Sequence, residues 1–202
     1  MILIGITGII GSGKTTVSRM LQNKGHEIID LDGITKEVMR LNKTKKAISD
    51  AFGEDCISGE EVITERLREK AFKSSNELKR LEELLHPIIL SEMFDRSAAL
   101  EKRGIKAVVI DGPLIYEKGL DKKLDKVVVV SADEDKIRER IRKRGMEKSD
   151  FERRTALQIP LKEKEMMADH VVLNNGTEKD LEKEIETLLQ KINQWEEELN
   201  AP

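Results

Sequence analysis

The segment Gly8-Ile9-Ile10-Gly11-Ser12-Gly13-Lys14-Thr15 constrains this chain more than any other. The apolar run Ile2-Leu3-Ile4-Gly5-Ile6 precedes it, and Val17, Met20 and Leu21 follow at helical spacing. Strand, glycine-rich loop and helix in that order give G-x-x-x-x-G-K-[ST] the context of a P-loop. The glycines let successive backbone N–H groups turn inward on an anion, and the positive end of the following helix points at the same place. Such a loop binds the phosphates of a nucleoside triphosphate. Lys14 would reach the β- and γ-phosphates and the Thr15 hydroxyl would ligate Mg²⁺. Gly8, Gly11, Ser12, Gly13 and Thr16 complete the candidate nucleotide-binding set.

Further apolar runs predict strands at Glu27–Ile29, Ala107–Ile110, Val127–Val130 and Val171–Leu173, besides Leu3–Ile6. Near-continuous Val/Ile runs mean strands buried on both faces, which suits a parallel sheet with helices on either side. A last helix over about 178–198 sets Leu181, Ile185, Leu188, Leu189, Ile192 and Trp195 on one face, and core packing explains that stripe. From about Thr35 to Gly104 the sequence shows no convincing strand, only helical segments. A helical lobe inserted after the second strand is the simplest account. With 202 residues the chain is long enough for one core and such a lobe. The net charge of −3 gives no basic field for nucleic acid. One cysteine, Cys56, excludes an internal disulfide and fits a reducing cytosol. No apolar run approaches the length of a membrane span, so no membrane or nucleic-acid partner is expected. Charged residues make up 37% and aromatics 3%, which fits either a thermophile's ion-paired surface or an ordinary helix-rich one.

A P-loop alone does not choose among ATPase, GTPase and kinase. A guanine-reading Asn-Lys-x-Asp after a strand is missing: Asn23-Lys24 and Asn42-Lys43 are followed by the wrong residues. Ile28-Ile29-Asp30-Leu31-Asp32 ends the second strand in two carboxylates. Strand alternation points Asp30 and Asp32 the same way, at the carboxyl end where α/β sheets bind ligands. One would accept or orient the proton of an attacking hydroxyl, and the other would hold Mg²⁺ through water. Asp32 would equally serve as a helix N-cap. Val108-Val109-Ile110-Asp111-Gly112-Pro113 is a buried strand ending in an acid and a turn, and makes Asp111 a further candidate. Pro87, after His86 in the lobe, should kink or restart its helix. Lys136 to Arg144 is a basic helical run with Arg140 and Arg144 on one face. It reads as arginines closing over a triphosphate or as a solvated basic face.

Together these residues resemble the dephospho-CoA kinase family over nearly the whole chain and in the same order. The family's loop is Thr7 to Thr16 here, and its Asp-x-Asp is Asp30-Leu31-Asp32. Leu67-Arg68, Leu81-Glu82 through His86-Pro87-Ile88-Ile89, and Asp111 through Glu117 match its lobe and third-strand elements. Its lid arginines fall on Arg140, Arg144 and Arg154, and its late motif is Ala168-Asp169 through Asn174-Asn175-Gly176. Three positions depart from the pattern. Ile9 replaces a variable glycine, Thr64 stands where many members carry a lobe arginine, and Gly112 stands where an aliphatic residue is usual.

The resemblance implies a three-layer P-loop NTPase fold of class α/β, with a five-stranded parallel sheet, an inserted helical substrate lobe and a small lid. The core would be 1–34 and 105–202, the lobe about 35–104 and the lid about 139–160. It implies transfer of the γ-phosphoryl of ATP, with Mg²⁺, to the ribose 3′-hydroxyl of dephospho-CoA. This would occur in the cytoplasm, in a monomer or weak homo-oligomer. Asp32, Lys14 and Arg140 would be catalytic. Arg144 and Asn174 would join the loop in holding nucleotide. Asp32, Arg68, His86, Asp111 and Arg154 would hold the acceptor, and Thr15 and Asp30 the metal. A kinase for another small nucleotide or alcohol, or a P-loop regulatory ATPase, remains the alternative.

Overall fold

Valine and isoleucine runs supply the strands of the main sheet. In chain order the strands are β1 (Ile2–Thr7), β2 (Glu27–Asp30), β3 (Ile57–Ser58), β4 (Glu61–Val62), β5 (Ala107–Asp111), β6 (Lys126–Ser131) and β7 (His170–Leu173). The helices are α1 (Lys14–Asn23), α2 (Leu31–Arg40), α3 (Asn42–Phe52), α4 (Thr64–Ala71), α5 (Ser75–Lys102), α6 (Glu134–Lys143), α7 (Lys148–Thr155), α8 (Leu161–Met167) and α9 (Glu178–Asn200). The computed structural model describes residues 1–200, apart from the side chains of Lys148, Arg154 and Asn200. No described helix is long and apolar enough to cross a membrane. The chain divides into two compact units, one of Met1–Ile29 with Leu100 onward and one of Asp30–Ala99.

The first unit carries a five-stranded parallel sheet in the order β2-β5-β1-β6-β7. The strands expected from sequence all form, each within a residue or so of the expected ends. Ile2, Ile4 and Ile6 of β1 lie with Ala107, Val109, Val128, Val130 and Val172 on one face, against Val17 and Leu21 of α1 and the Leu181–Trp195 stripe of α9. Fully burying each such aliphatic side chain contributes about 1.5–3 kcal/mol. The opposite face is also closed. A Cβ on Gly5 would stand 2.7 Å from Leu124 and 2.9 Å from Ile115, so β1 admits only glycine there without shifting those side chains. A satellite cluster of Ala132, Ile137 and Ile141 packs with Ile9, Ile10, Met146, Phe151 and Leu161. Its Ile9 and Ile10 are the apolar residues of the glycine-rich loop. Because β1 sits between β5 and β6, its loop emerges at the point where successive crossovers run to opposite sides, where open α/β sheets form their crevice.

The second unit is helical, with one departure from the sequence reading. Ile57–Ser58 and Glu61–Val62 form a small antiparallel hairpin turned by Gly59-Glu60, with Ile57 opposite Val62. Two-residue strands are too short to leave a period in the sequence. Of the two outcomes expected at Pro87, a kink or a restart, the restart does not occur: α5 runs through it. Pro87 removes a single N–H donor, and both it and Glu83 are exposed, so water can take the released carbonyl.

Candidate active site

The loop between β1 and α1 is held from outside by side chains of distant segments. Gly13 caps α1 with φ 103° and ψ 15°, a left-handed conformation, and a Cβ there would run into the Asn174 amide. Asn174 follows β7 directly and is buried. Its Nδ2 donates to the Ser12 carbonyl at 2.8 Å. From α6, Arg140 donates through Nη1 to the carbonyls of Gly11 (3.3 Å) and Ser12 (3.1 Å), and through Nη2 to the Asn174 carbonyl (2.7 Å) and Oδ1 (3.1 Å). Partial burial pushes its guanidinium below the ordinary value, with Glu139 opposing that shift and Arg144 adding to it. The loop's outer carbonyls are therefore satisfied. The N–H groups of Gly13, Lys14 and Thr15 have no acceptor among the described residues. The buried Ser12 hydroxyl is also unpartnered. Free donors at a helix N-terminus make a fitted seat for a phosphate.

Strand alternation places Asp111 on the same face of β5 as Ala107 and Val109, toward α1. There its carboxylate pairs with Lys14 Nζ through Oδ1 and accepts the Ser18 hydroxyl at 2.6 Å through Oδ2. Lys14 and Ser18 are four apart on α1, so one buried acid grips one face of the helix. The turn after Asp111 is fastened in its own way. Lys164 of α8 has a fully buried side chain, with Nζ 2.8 Å from Glu117 Oε1 and 2.9 Å from the Pro113 carbonyl. Glu117 Oε1 also accepts the Ile159 N–H at 2.8 Å, and Gln158 Nε2 donates to the Pro113 carbonyl at 3.3 Å. Burial pushes the Lys164 ammonium below its usual range; Glu117 opposes that shift and Lys14 adds to it.

Lys14, Asp111, Arg140, Asn174 and the loop glycines thus gather in the first unit. Thr15 is exposed and Thr16 half-buried in the first turn of α1. Arg144 is exposed at the end of α6. The Arg154 side chain lies outside the described residues. The remaining candidates belong to the second unit. Arg68 is exposed on α4 and His86 half-buried on α5. Asp30 and Asp32 are not alternating strand positions, because β2 ends at Asp30 and α2 begins at Leu31. Asp30 is the N-cap, its Oδ1 accepting the Asp32 N–H at 3.0 Å, and Asp32 sits exposed in the first helical turn. Sequence reasoning passes over Ser18, Gln158 and Lys164. Ser18 is detectable as the position four after Lys14. Lys164 stands in Lys162-Glu163-Lys164-Glu165, which reads as a solvated face and offers no signal for a buried charge.

Residues 2–180 match the dephospho-CoA kinase family. A dephospho-CoA kinase of Corynebacterium efficiens is 40% identical over 195 residues, covering 95% of this chain and 98% of its own. One from Corynebacterium glutamicum is 39% identical over the same length and shares. A crystal structure of a Thermus thermophilus protein has a TM-score of 0.83 to this chain at 30% identity, covering 94% of this chain and 97% of the other. With the P-loop, its buried acid and the family motifs in their order from end to end, the chain belongs to the dephospho-CoA kinase family.

Proposed function

We propose that this chain transfers the γ-phosphoryl group of ATP to the ribose 3′-hydroxyl of dephospho-CoA, giving coenzyme A and ADP, the last step of coenzyme A synthesis. Family membership across residues 2–180 carries the reading. The braced P-loop supports it. The free N–H groups of Gly13, Lys14 and Thr15 take the triphosphate, and Lys14 exchanges Asp111 for phosphate oxygens. Asp32 orients the acceptor hydroxyl and takes its proton as the 3′-oxygen bonds to phosphorus and the bond to the β-phosphate oxygen breaks. Arg68 and His86 hold the acceptor. Arg144 faces the transferring group and Arg140 keeps the loop in shape. Positioning and charge balance do most of the work.

No group of three or more His, Cys, Asp or Glu suited to a metal occurs among the described residues. A cation here would rest on the exposed Thr15 hydroxyl, water and phosphate oxygens, a donor set that suits Mg²⁺. When bound, Mg²⁺ neutralises charge building on the β- and γ-phosphates. We place the reaction in the cytoplasm, where the lone cysteine, buried Cys56, stays reduced. The protein would act there as a monomer or weak homo-oligomer.

The test is coupled ADP release with dephospho-CoA, adenosine monophosphate, gluconate or no acceptor. Turnover with dephospho-CoA is expected far above that with any other acceptor or with none. Comparable turnover without acceptor would make the chain an ATPase, and equal rates with several acceptors would overturn the substrate assignment. Asp32→Asn should lower turnover by roughly 10²-fold or more with ATP binding kept. Unchanged turnover would remove Asp32 from the base role.

A further inference from the structure

Beyond Asp32, helix α2 carries two side chains in line with it that the reaction scheme leaves unused. Asp32, Lys36 and Arg40 recur every four residues, so they share one face of the helix, with Met39 beside Arg40. Beside the far end of that line the second unit has a cavity of about 200 Å³, lined by Lys36, Met39, Arg40, Glu61, Val62 and Thr64. Two walls build it: α2, and the hairpin strand β4 with the first residue of α4. Met39 and Val62 are half-buried and give it an apolar part, while Lys36 and Arg40 are exposed.

The charges in this cavity are not consumed by the fold. Glu37, the acid next to Lys36, is taken by Arg96, which also holds Glu92 at 2.8 Å. Lys36 and Arg40 form no ion pair among the described residues. Glu61 is the single acid in the lining, set against two cations. Arg66, two residues after Thr64 on α4, does not line the cavity; its Nη1 donates to the Asp55 carbonyl at 3.0 Å. Thr64 itself contributes a hydroxyl.

We propose that Lys36 and Arg40 form the subsite for the 5′-diphosphate of the acceptor, with Met39 and Val62 receiving the first part of the pantetheine arm. This rests on the reading of Asp32 as the residue that orients the 3′-hydroxyl. At 1.5 Å per residue, Lys36 stands about 6 Å and Arg40 about 12 Å along the helix from Asp32. A nucleotide's 5′-diphosphate lies a few bonds from its 3′-hydroxyl, so a hydroxyl at Asp32 brings the diphosphate within reach of the two cations. Arginine and lysine on one face, one forked and one compact, suit a charged group with oxygens on both phosphorus atoms. The positive charge expected at Thr64 is thus supplied from the opposite wall.

The test measures steady-state constants for dephospho-CoA, adenosine and ATP in the wild type and in Lys36→Gln, Arg40→Gln and Glu61→Gln. All three side chains are exposed, so folding should be kept, and unchanged thermal melting checks it. Each cation variant should raise the KM for dephospho-CoA roughly tenfold or more. The KM for ATP and the kcat/KM for adenosine, which has no phosphate, should not change. Glu61→Gln should lower the KM for dephospho-CoA, an opposite sign that a merely structural role would not produce. A change below about twofold in both cation variants, or equal losses with adenosine, would overturn the subsite while leaving the kinase assignment standing. A wild type that fails to phosphorylate dephospho-CoA would instead sink the proposed function, a result this comparison separates from failure of the subsite.

Discussion

Glu117→Ala removes the partner of the most deeply buried cation described in this protein. The Lys164 side chain is 0% exposed and that of Glu117 9%. Breaking such a pair from one side leaves an uncompensated charge at a cost of about 3–5 kcal/mol. The Ile159 N–H would also lose its acceptor. For a chain of this size 1 kcal/mol moves Tm by about 2–4 °C, so the variant should melt roughly 6–20 °C lower at neutral pH. Glu117→Leu combined with Lys164→Met replaces both charges by apolar groups of similar volume, and should restore most of that loss. The pH dependence has a definite sign. With its folded pKa depressed by burial, Lys164 sheds its proton in the native state before the unfolded chain does. Stability therefore rises with pH from that lowered value up to the ordinary lysine value. The Glu117→Ala deficit should shrink as pH is raised from 7 toward about 10. Thermal melting by circular dichroism across that range reads both effects. A loss below about 1 kcal/mol at pH 7, or a deficit that grows with pH, would refute a buried charged Lys164.

Two predictions concern the loop. Gly13→Ala forces a side chain into left-handed backbone and against the Asn174 amide. Its strain of about 1–2 kcal/mol should weaken ATP binding roughly tenfold, as read by nucleotide titration, and unchanged affinity would refute the brace. Arg140→Lys keeps the charge but cannot span the four oxygens that Arg140 reaches. It should weaken ATP about tenfold with kcat for bound nucleotide nearly kept, whereas a loss confined to kcat would make Arg140 the cation on the transferring group.

The sheet is legible in the sequence because its strands are buried on both faces. Val127 to Val130 needs no partner to be read as a strand, and the glycines of the loop announce a turn whatever surrounds them. The sequence also marks Lys14 and Asp111 one at a time. Their pairing depends on strand order, which sets β5 next to β1 and brings together residues 97 apart. Asp30 and Asp32 mislead for a local reason. A period of two holds only while the strand lasts, and the strand gives way to a helix between them. The same limit hides Lys164. An alternating Lys-Glu run looks solvated, and only the turn folded over α8, with Glu117 and the Pro113 carbonyl facing it, makes burial tolerable.

Burial separates the two arginines that spacing treats alike. Arg140 and Arg144 share a face of α6, but Arg140 spends its donors on carbonyls and an amide oxygen of the loop and of Asn174. To meet a phosphate it would have to release those oxygens, loosening the seat that the phosphate needs. Arg144 is exposed and forms no ion pair among the described residues, so it can turn to an incoming triphosphate without that loss. On the proposed mechanism this division gives Arg140 the shape of the loop and leaves Arg144 as the cation for the phosphates. It explains how one helix can brace the loop and still present a cation beside it, since positions four apart lie one turn along the same face while only the first reaches the loop carbonyls.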